Sequence, residues 1–295
     1  MSKAIIHIGY PKAASTWLQK NVFPTVKNAT PVLKNDITRY FVETFYTEFS
    51  PEKAKELLPE SETLLLSDER FIGGMLTGGL NGFAVRCIAE RFKETFDEVQ
   101  IIMVIRNQLD IIASTYAHYV YYGGTYNFKK FYLNPEYYVI QKMALFSPHL
   151  YDYYKIYKTY KSLFGKDNVA VLLYEDIINS PSEFISQIET ETGLYFDKEK
   201  INLAETNTGK SYKDIQIQRI INRFLKLNLA YKHYFVNLLR TRPEKIDVRF
   251  FKKEKNRTEK IIPEKLRKDI KSRFETSNNK LFELLGIDKA KYGYP

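Results

Sequence analysis

The stretch GYPKAASTW, residues 9–17, gathers side chains suited to holding an anion. Gly9 and Pro11 shape a turn, Ala13 and Ala14 keep bulk out of it, Lys12 brings a mobile charge, and Ser15 and Thr16 bring hydroxyl donors. The apolar run AIIHI (4–8) reads as a strand ahead of the turn, and WLQK as the start of a helix after it. Backbone N–H groups at a helix start lack partners within the helix and favour negative charge in front of them. A nucleoside-triphosphate loop would read G-x-x-x-x-G-K-[ST], with its lysine beside the hydroxyl that holds Mg²⁺. Counted from Gly9, Ala14 stands at the second glycine and Ser15 at the lysine, while the lysine present, Lys12, comes early. The loop is built for an anion, but not in the Walker manner.

Such a loop needs a scaffold. Besides 4–8, short apolar runs at TLLLS (63–67), VQIIMVI (99–105) and VAVLLY (169–174) read as strands, and their lack of alternation suits a parallel sheet covered on both faces. Helical patterns at 15–22, 36–48, 81–95, 108–121, 136–164 and 181–192 lie between and around them. Strands alternating with helices predict an α/β, three-layer, P-loop-like fold, which binds ligands at the C-terminal ends of its strands. Two long helical patterns follow, 211–240 with Ile217, Ile221, Phe224 and Leu227 near one face, and 264–285 with Leu266, Ile270, Phe274, Leu281 and Leu285. Pro263 and Gly286 suit the start and end of the second. With no repeat or low-complexity linker, residues 1–295 read as a single domain with a helical C-terminal part.

The loop resembles the 5′-phosphosulfate loop of the PAPS-dependent sulfotransferases, whose pattern runs roughly G-x-P-K-[AGS]-[GA]-[ST]-[ST]-W-L. Gly9, Pro11, Lys12, Ser15, Thr16, Trp17 and Leu18 stand in their places. A second stretch, VIRNQLDIIASTYAHY, resembles the family's 3′-phosphate motif, R-[ND]-P-x-D-x-x-x-S-x-Y, through Arg106, Asn107, Asp110, Ser114 and Tyr116; Gln108 replaces the proline. An arginine at a strand end and a serine two helical turns on can converge on one phosphate, and a guanidinium suits a phosphomonoester dianion. LLYEDI (172–177) resembles the strand end whose tyrosine lies beside the adenine, here Tyr174, and the closing KYGYP is similar to the ending of many bacterial members. Within NTGKSYK (207–213), Lys210 and Ser211 are the candidates for the late loop that closes over the 3′-phosphate. The resemblance implies binding of PAPS by Pro11, Lys12, Ala13, Ala14, Ser15, Thr16, Trp17, Arg106, Ser114, Tyr174, Lys210 and Ser211. It also implies transfer of a sulfuryl group to an acceptor without a metal, with PAP as the product.

In that chemistry Lys12 stabilises the charge that grows on the bridging oxygen. A base must take the acceptor's proton, and family members use a histidine or a glutamate. TLLLS ends at Asp68–Glu69, so Glu69 is the expected base and Asp68 the alternative. His7 reads as packed in the first strand, His118 as pointing away from the phosphate motif, and His149 and His233 lack motif context. By resemblance to the carbohydrate sulfotransferases the glutamate implies a saccharide or glycoconjugate acceptor, which the 13 of 23 tyrosines that fall in 116–160 would suit. Gly123 and Gly124 imply a loop within that tyrosine-rich stretch.

Composition bounds the rest. No run of about 18 apolar residues appears, and the start lacks a secretory signal pattern. The single cysteine, Cys87, excludes an internal disulfide and a cysteine metal cluster, so a reducing cytoplasm is the expected location. The net charge of +10 suits an anionic ligand, and residues 240–257 hold eight Lys/Arg against three acids. That stretch is a candidate second contact for an anionic acceptor chain, and it leaves peripheral membrane contact open. Two other classes stand beside the enzyme reading. A P-loop-like nucleotide kinase would need a Walker lysine and Mg²⁺ ligands, and a basic polyanion-binding protein would give Lys12, Arg106 and Ser114 no purpose. A nucleic-acid partner is therefore not expected.

Overall fold

Apolar strands of four to eight residues pair in parallel into one sheet of five, ordered β2-β3-β1-β4-β5. The structure is a computed structural model, which describes residues 3–76, 82–133, 145–203, 209–225 and 246–295. The strands are β1 (Lys3–His7), β2 (Thr30–Leu33), β3 (Thr63–Ser67), β4 (Glu98–Ile105) and β5 (Val169–Leu173). The register sets His7 against Ser67 on one side and Ile102 on the other, and Ile105 against Leu173. Every residue of β5 and the last five of β4 are buried, as unalternating strands between two helical layers must be. Sequence patterning located four of the five. The fifth, β2, carries Pro31, which cannot donate to a ladder, and it lies at the sheet edge where that costs least.

The helices are α1 (Ser15–Trp17, continuing as a π turn over Leu18–Val22), α2 (Asp36–Glu43), α3 (Pro51–Leu57), α4 (Phe83–Thr95), α5 (Gln108–Tyr121) and α6 (Phe128–Leu133). Then come α7 (Tyr153–Phe164), α8 (Tyr174–Asn179), α9 (Pro181–Thr192), α10 (Tyr212–Ile221), α11 (Arg257–Ile261) and α12 (Glu264–Leu285). Three expected helices are shorter than their patterns. The 36–48 pattern stops at Glu43, where the buried Arg91 guanidinium donates to the carbonyls of Phe41 and Thr44, both at 2.7 Å. Within 136–164, a 3-10 turn at Pro148–Tyr151 precedes α7, and residues 136–144 lie outside the described ones. In 211–240 the helix ends at Ile221, and 226–240 lie outside.

The face that α10 buries also differs from the apolar stripe expected. Asp214, Ile215 and Gln218 face inward, with Asn222 just beyond, while Ile217, Ile221 and Phe224 are half-buried. The polar face is a bracket. Asn222 Nδ2 donates to Val120 O (2.7 Å) and Gly124 O (2.9 Å), holding the end of α5. Asp214 accepts from Phe250 N (2.9 Å) and Phe251 N (3.3 Å), and Gln218 from Val248 N (3.2 Å). The basic segment after residue 246 is thereby tied to the main body. Among the described residues no helix is long and apolar enough to cross a membrane.

Candidate active site

All five strands end at one rim, and each delivers one polar residue there. Across the sheet order these are Lys34 after β2, Glu69 after β3, Lys12 in the loop after β1, Arg106 after β4 and Tyr174 after β5. The chain order reverses beside β1, which is where parallel sheets open a crevice at their C-terminal ends.

The loop after β1 is stitched to β4: Tyr10 N donates to Val104 O at 3.0 Å and Val104 N to Gly9 O at 2.8 Å. Gly9 has φ +106°, and a Cβ there would lie 3.2 Å from Pro11 N and 3.4 Å from Glu69 Cα, so the glycine lets the loop pass against the carboxylate-bearing turn. Lys12 and Ala14 also hold left-handed backbones, φ 68° and 63°, unusual for residues with a Cβ. Tyr10 anchors the turn from below, its buried hydroxyl donating to Leu150 O at 2.9 Å. Pro11 and Ala13 are buried and Ala14 half-buried. Ser15 is buried and donates to Tyr10 O at 3.0 Å, Thr16 is exposed, and Trp17 donates to Asn202 O at 3.1 Å. The Lys12 ammonium makes no hydrogen bond among the described residues. Burial pushes it below its ordinary range, Glu69 opposes this, and Lys34 and Arg106 reinforce it.

Arg106 links the two sequence motifs. Its Nη1 donates to Lys12 O at 2.8 Å, and its guanidinium lies 4.2 Å from the Tyr174 ring centroid. Its Nε is buried without a partner. Ser114, two turns along α5, makes no hydrogen bond among the described residues. From α11, buried Arg257 joins them: burial lowers it, Arg106 adds to this, and Asp110, Glu254 and Tyr174 oppose it. Its Nε is a second buried, unpartnered nitrogen. Lys253, lowered by partial burial and then by Arg257 and Arg106, reaches the same ground. Asp110 accepts from Thr258 and so pins α11 to α5. Cations crowd here with donors left over, the arrangement a polyanion fits.

Lys210 and Ser211 lie beside Arg257, whose Nη1 donates to Lys210 O at 3.2 Å, but their side chains turn to internal partners. The Lys210 ammonium is buried on Asp247 (2.6 Å) and Gln218 (3.3 Å), and the buried Ser211 hydroxyl caps α10 through Asp214 N at 3.0 Å. Both side chains are held by internal partners. Arg257 lies alongside the 207–213 stretch, of which 207 and 208 lie outside the described residues.

On the other side of Lys12, Glu69 is held at both oxygens. Lys34 pairs with Oε1, and Gln19 Nε2 donates to Oε2 at 3.2 Å. Asp68, the alternative base, is fully buried. Burial pushes its carboxyl up, but hydrogen bonds from Arg70 (Nη2, 2.6 Å; backbone N, 2.9 Å) and Thr38 (2.8 Å) outweigh this and hold it low. It is a structural acid. His7 is packed as expected, with burial pushing it down to about 4 against the pull of Glu69 and Asp68. His118 is half-buried, and burial lowers it to about 3, with further lowering from Lys12 and Lys34. His149 is exposed, and His233 lies outside the described residues.

The sulfotransferase-domain family profile matches residues 88–240, more than half of the chain. The chain belongs to the sulfotransferase family. It is accordingly a PAPS-dependent sulfotransferase enzyme. The fold is similar to that of a sulfotransferase from Alicyclobacillus acidocaldarius, at 14% identity and TM-score 0.57 over 98% of this chain and 97% of that one. Two further structures align less closely. The mouse sulfotransferase SULT7A1 complexed with PAP has 14% identity and TM-score 0.43 over 94% of this chain and 83% of that one. The sulfotransferase domain from the curacin biosynthetic pathway has 13% identity and TM-score 0.38 over 70% and 79%. A search of curated proteins gives no match.

This sulfotransferase departs from the family motif at Gln108, and the structure supplies a reason. The buried amide pairs reciprocally with Asn278 of α12 (2.8 and 3.1 Å), and Asn278 also donates to Pro295 O at 3.0 Å. Nearby, Tyr294 of the KYGYP ending donates to Glu175 at 2.8 Å, and Glu175 accepts from Asn107 N at 2.9 Å. The ending thus braces the arginine motif. Among the described residues no group of three or more His, Cys, Asp or Glu could hold a metal ion.

The tyrosine-rich stretch is chiefly core. Of its described members Tyr116, Tyr119, Tyr126, Tyr132, Tyr151, Tyr153, Tyr157 and Tyr160 are buried, and Tyr122 is 45% exposed. Gly124 packs under Tyr119, where a Cβ would fall 2.3 Å from the ring, so this turn serves packing. Sequence reasoning missed Lys34, Gln19, Lys253 and Arg257. Lys34 follows an edge strand hidden by its proline and Gln19 lies inside the helix after the loop. The other two lay in plain view as a basic run whose inward turn depends on α10.

Proposed function

We propose that this enzyme moves the sulfuryl group of PAPS to a hydroxyl of a saccharide or glycoconjugate, with Glu69 as general base. The reading is carried by the rim: the Lys12 ammonium and the buried, unpartnered Nε atoms of Arg106 and Arg257 lie to one side, and the Glu69 carboxylate stands on the other. PAPS, when bound, supplies an activated sulfuryl group on a phosphate leaving group. Arg106, Ser114, Lys253 and Arg257 would hold its 3′-phosphate, and the Tyr174 face not covered by Arg106 would hold the adenine. The loop backbone of Pro11–Thr16 and the Ser15 and Thr16 hydroxyls would hold the 5′ end, with Trp17 bracing the turn behind them. Lys12 would meet the oxygen on which charge develops, where a preorganised cation lowers the barrier most.

Glu69 would accept the acceptor's proton as the new S–O bond forms, and the electron pair of the breaking bond would leave with PAP. Support for a saccharide is narrower than the tyrosine count implied. It rests on the glutamate, the exposed Tyr122 ring beside His118 (4.5 Å between centroids), and Lys34 at the mouth. The basic 246–257 segment belongs in this reading to the donor side, because Arg257 turns inward beside Arg106. A cytoplasmic location goes with it, on the single cysteine.

The test is an acceptor panel of oligosaccharides, phenols and aliphatic alcohols with labelled PAPS. Saccharide labelling that Glu69→Gln abolishes is the expected result. Efficient labelling of phenols with no saccharide labelled would overturn the acceptor.

A further inference from the structure

Behind Glu69 runs a chain of polar contacts that the transfer step itself does not require. Gln19 Nε2 lies 3.2 Å from Glu69 Oε2, 3.1 Å from Ser67 Oγ and 3.4 Å from Ser67 O. Ser67 Oγ lies 2.7 Å from His7 Nδ1. Ser67 and His7 are fully buried, side by side on β3 and β1.

Chemistry fixes the direction of the Gln19 bonds and leaves one consistent course for the rest. Of the three oxygens around one atom of the Gln19 amide, Glu69 Oε2 and Ser67 O can only accept, so that atom is the NH₂ nitrogen. One of its hydrogens goes to Glu69 and the other to Ser67. The Ser67 hydroxyl, accepting from Gln19, has its own proton to give, and His7 Nδ1 is the acceptor in reach. Burial keeps His7 neutral, pushed down to about 4, so Nδ1 can carry the bare lone pair. With Ser67 donating to Nδ1 the ring proton sits on Nε2, which has no hydrogen-bond partner, and the Phe23 ring meets the imidazole edge-on at 5.3 Å.

We infer that His7, Ser67 and Gln19 form a positioning relay that holds Glu69 Oε2 as a hydrogen-bond acceptor and leaves Oε1 to take the acceptor's proton. The inference rests on Glu69 being the base. Oε1 is held by Lys34, which is half exposed and extends from the sheet edge. The acceptor hydroxyl takes the place of Lys34 on Oε1, and the displaced ammonium remains beside Lys12. In the step, the O–H bond breaks, its proton bonds to Oε1, the acceptor oxygen bonds to sulfur, and the bond from sulfur to the donor phosphate breaks with its electrons leaving on PAP. Gln19 stays bound to Oε2 throughout and so keeps the carboxyl plane aimed at the acceptor.

Charged groups facing Glu69 are Lys12 from the loop, Lys34 from the β2 end, and Asp68, Arg70 and neutral His7 nearby. The relay variants alter none of these charges, so a pH effect reports the hydrogen bonds. Gln19→Met, near in size but without a donor, is expected to lower kcat about tenfold or more. PAP affinity should stay within about twofold, because the lost bond touches only the acceptor side. Its acid limb in the pH–rate profile should move to higher pH, since the carboxylate loses a donor. Ser67→Ala, which does not touch Glu69, should move both readouts the same way by less, and Ser67→Thr should restore them. Unchanged kcat and acid limb in Gln19→Met and Ser67→Ala, with Glu69→Gln inactive, would overturn the relay and leave the base standing. An active Glu69→Gln would overturn both.

Discussion

The two halves of the rim treat charge in opposite ways. On the donor side, Lys12 and Ser114 lack hydrogen-bond partners among the described residues, and Arg106 Nε and Arg257 Nε are buried without any. On the acceptor side, Glu69 has a partner at each oxygen and Asp68 is held by Arg70 and Thr38. An unpaired buried donor costs about 1–3 kcal/mol, and several gathered beside cations are donors that an external anion would complete. The saturated carboxylate obeys another rule on the proposal that Glu69 is the base, since a base must be aimed before it is used. One region is arranged to receive a ligand, the other to hold a direction.

If that contrast is right, variants on the two sides should fail in different ways. The largest effect belongs to Glu69→Gln, with kcat falling about a hundredfold to ten-thousandfold while PAP affinity by calorimetry stays near wild type; a large loss of PAP affinity would erase the contrast. Arg106→Ala should weaken PAP about a hundredfold, as charge-assisted contacts are lost. It should also collapse the preference for PAP over adenosine 5′-phosphosulfate, and equal preference in the native enzyme would remove Arg106 from the 3′-phosphate. A smaller pair sharpens the donor boundary. Arg257→Ala should weaken PAP about tenfold or more, whereas Lys210→Met should leave PAP affinity within about twofold and lower the unfolding midpoint instead, because its ammonium is held by Asp247 and Gln218. The reverse result would restore Lys210 to the ligand.

The last effect leaves activity aside and is a slope in stability. His7 is held at about 4 when folded and returns to its ordinary 6.5 when unfolded. Between those values the unfolded chain binds the extra proton, so stability falls as pH drops from 6.5 toward 4. The contribution is about 3 kcal/mol at most, and His7→Asn should flatten that part of the unfolding-midpoint curve. An unchanged curve would remove the buried neutral histidine and with it the direction of the relay.

How far the sequence carried is clearest at particular residues. β1, β3, β4 and β5 were legible because buried parallel strands are uninterrupted apolar runs, and α12 because its stripe, proline and glycine agree. The Arg106–Ser114 helix was legible because its spacing and its fold coincide over Gln108–Tyr121. Lys34 was not, since Pro31 disguises its strand and its partner Glu69 is 35 residues away. Arg257 was hidden differently. Its charge was counted, but what turns it inward is Asp110 gripping Thr258 across 148 residues, together with the polar face of α10. Patterns within one element read well; hydrogen bonds between distant elements do not.

Trp17 gives the donor side an optical property. It is the chain's one tryptophan, 8% exposed, directly after the phosphate loop and bonded through its indole N–H to Asn202 O. Excited at the red edge, where the 23 tyrosines scarcely absorb, its emission comes from a single place: the wall of the turn. On the proposed donor site, arrival and departure of the nucleotide should change that emission and can then be timed in a stopped-flow mixer with unlabelled protein. Binding is thereby separated from chemistry in an enzyme whose acceptor need not be in the cuvette.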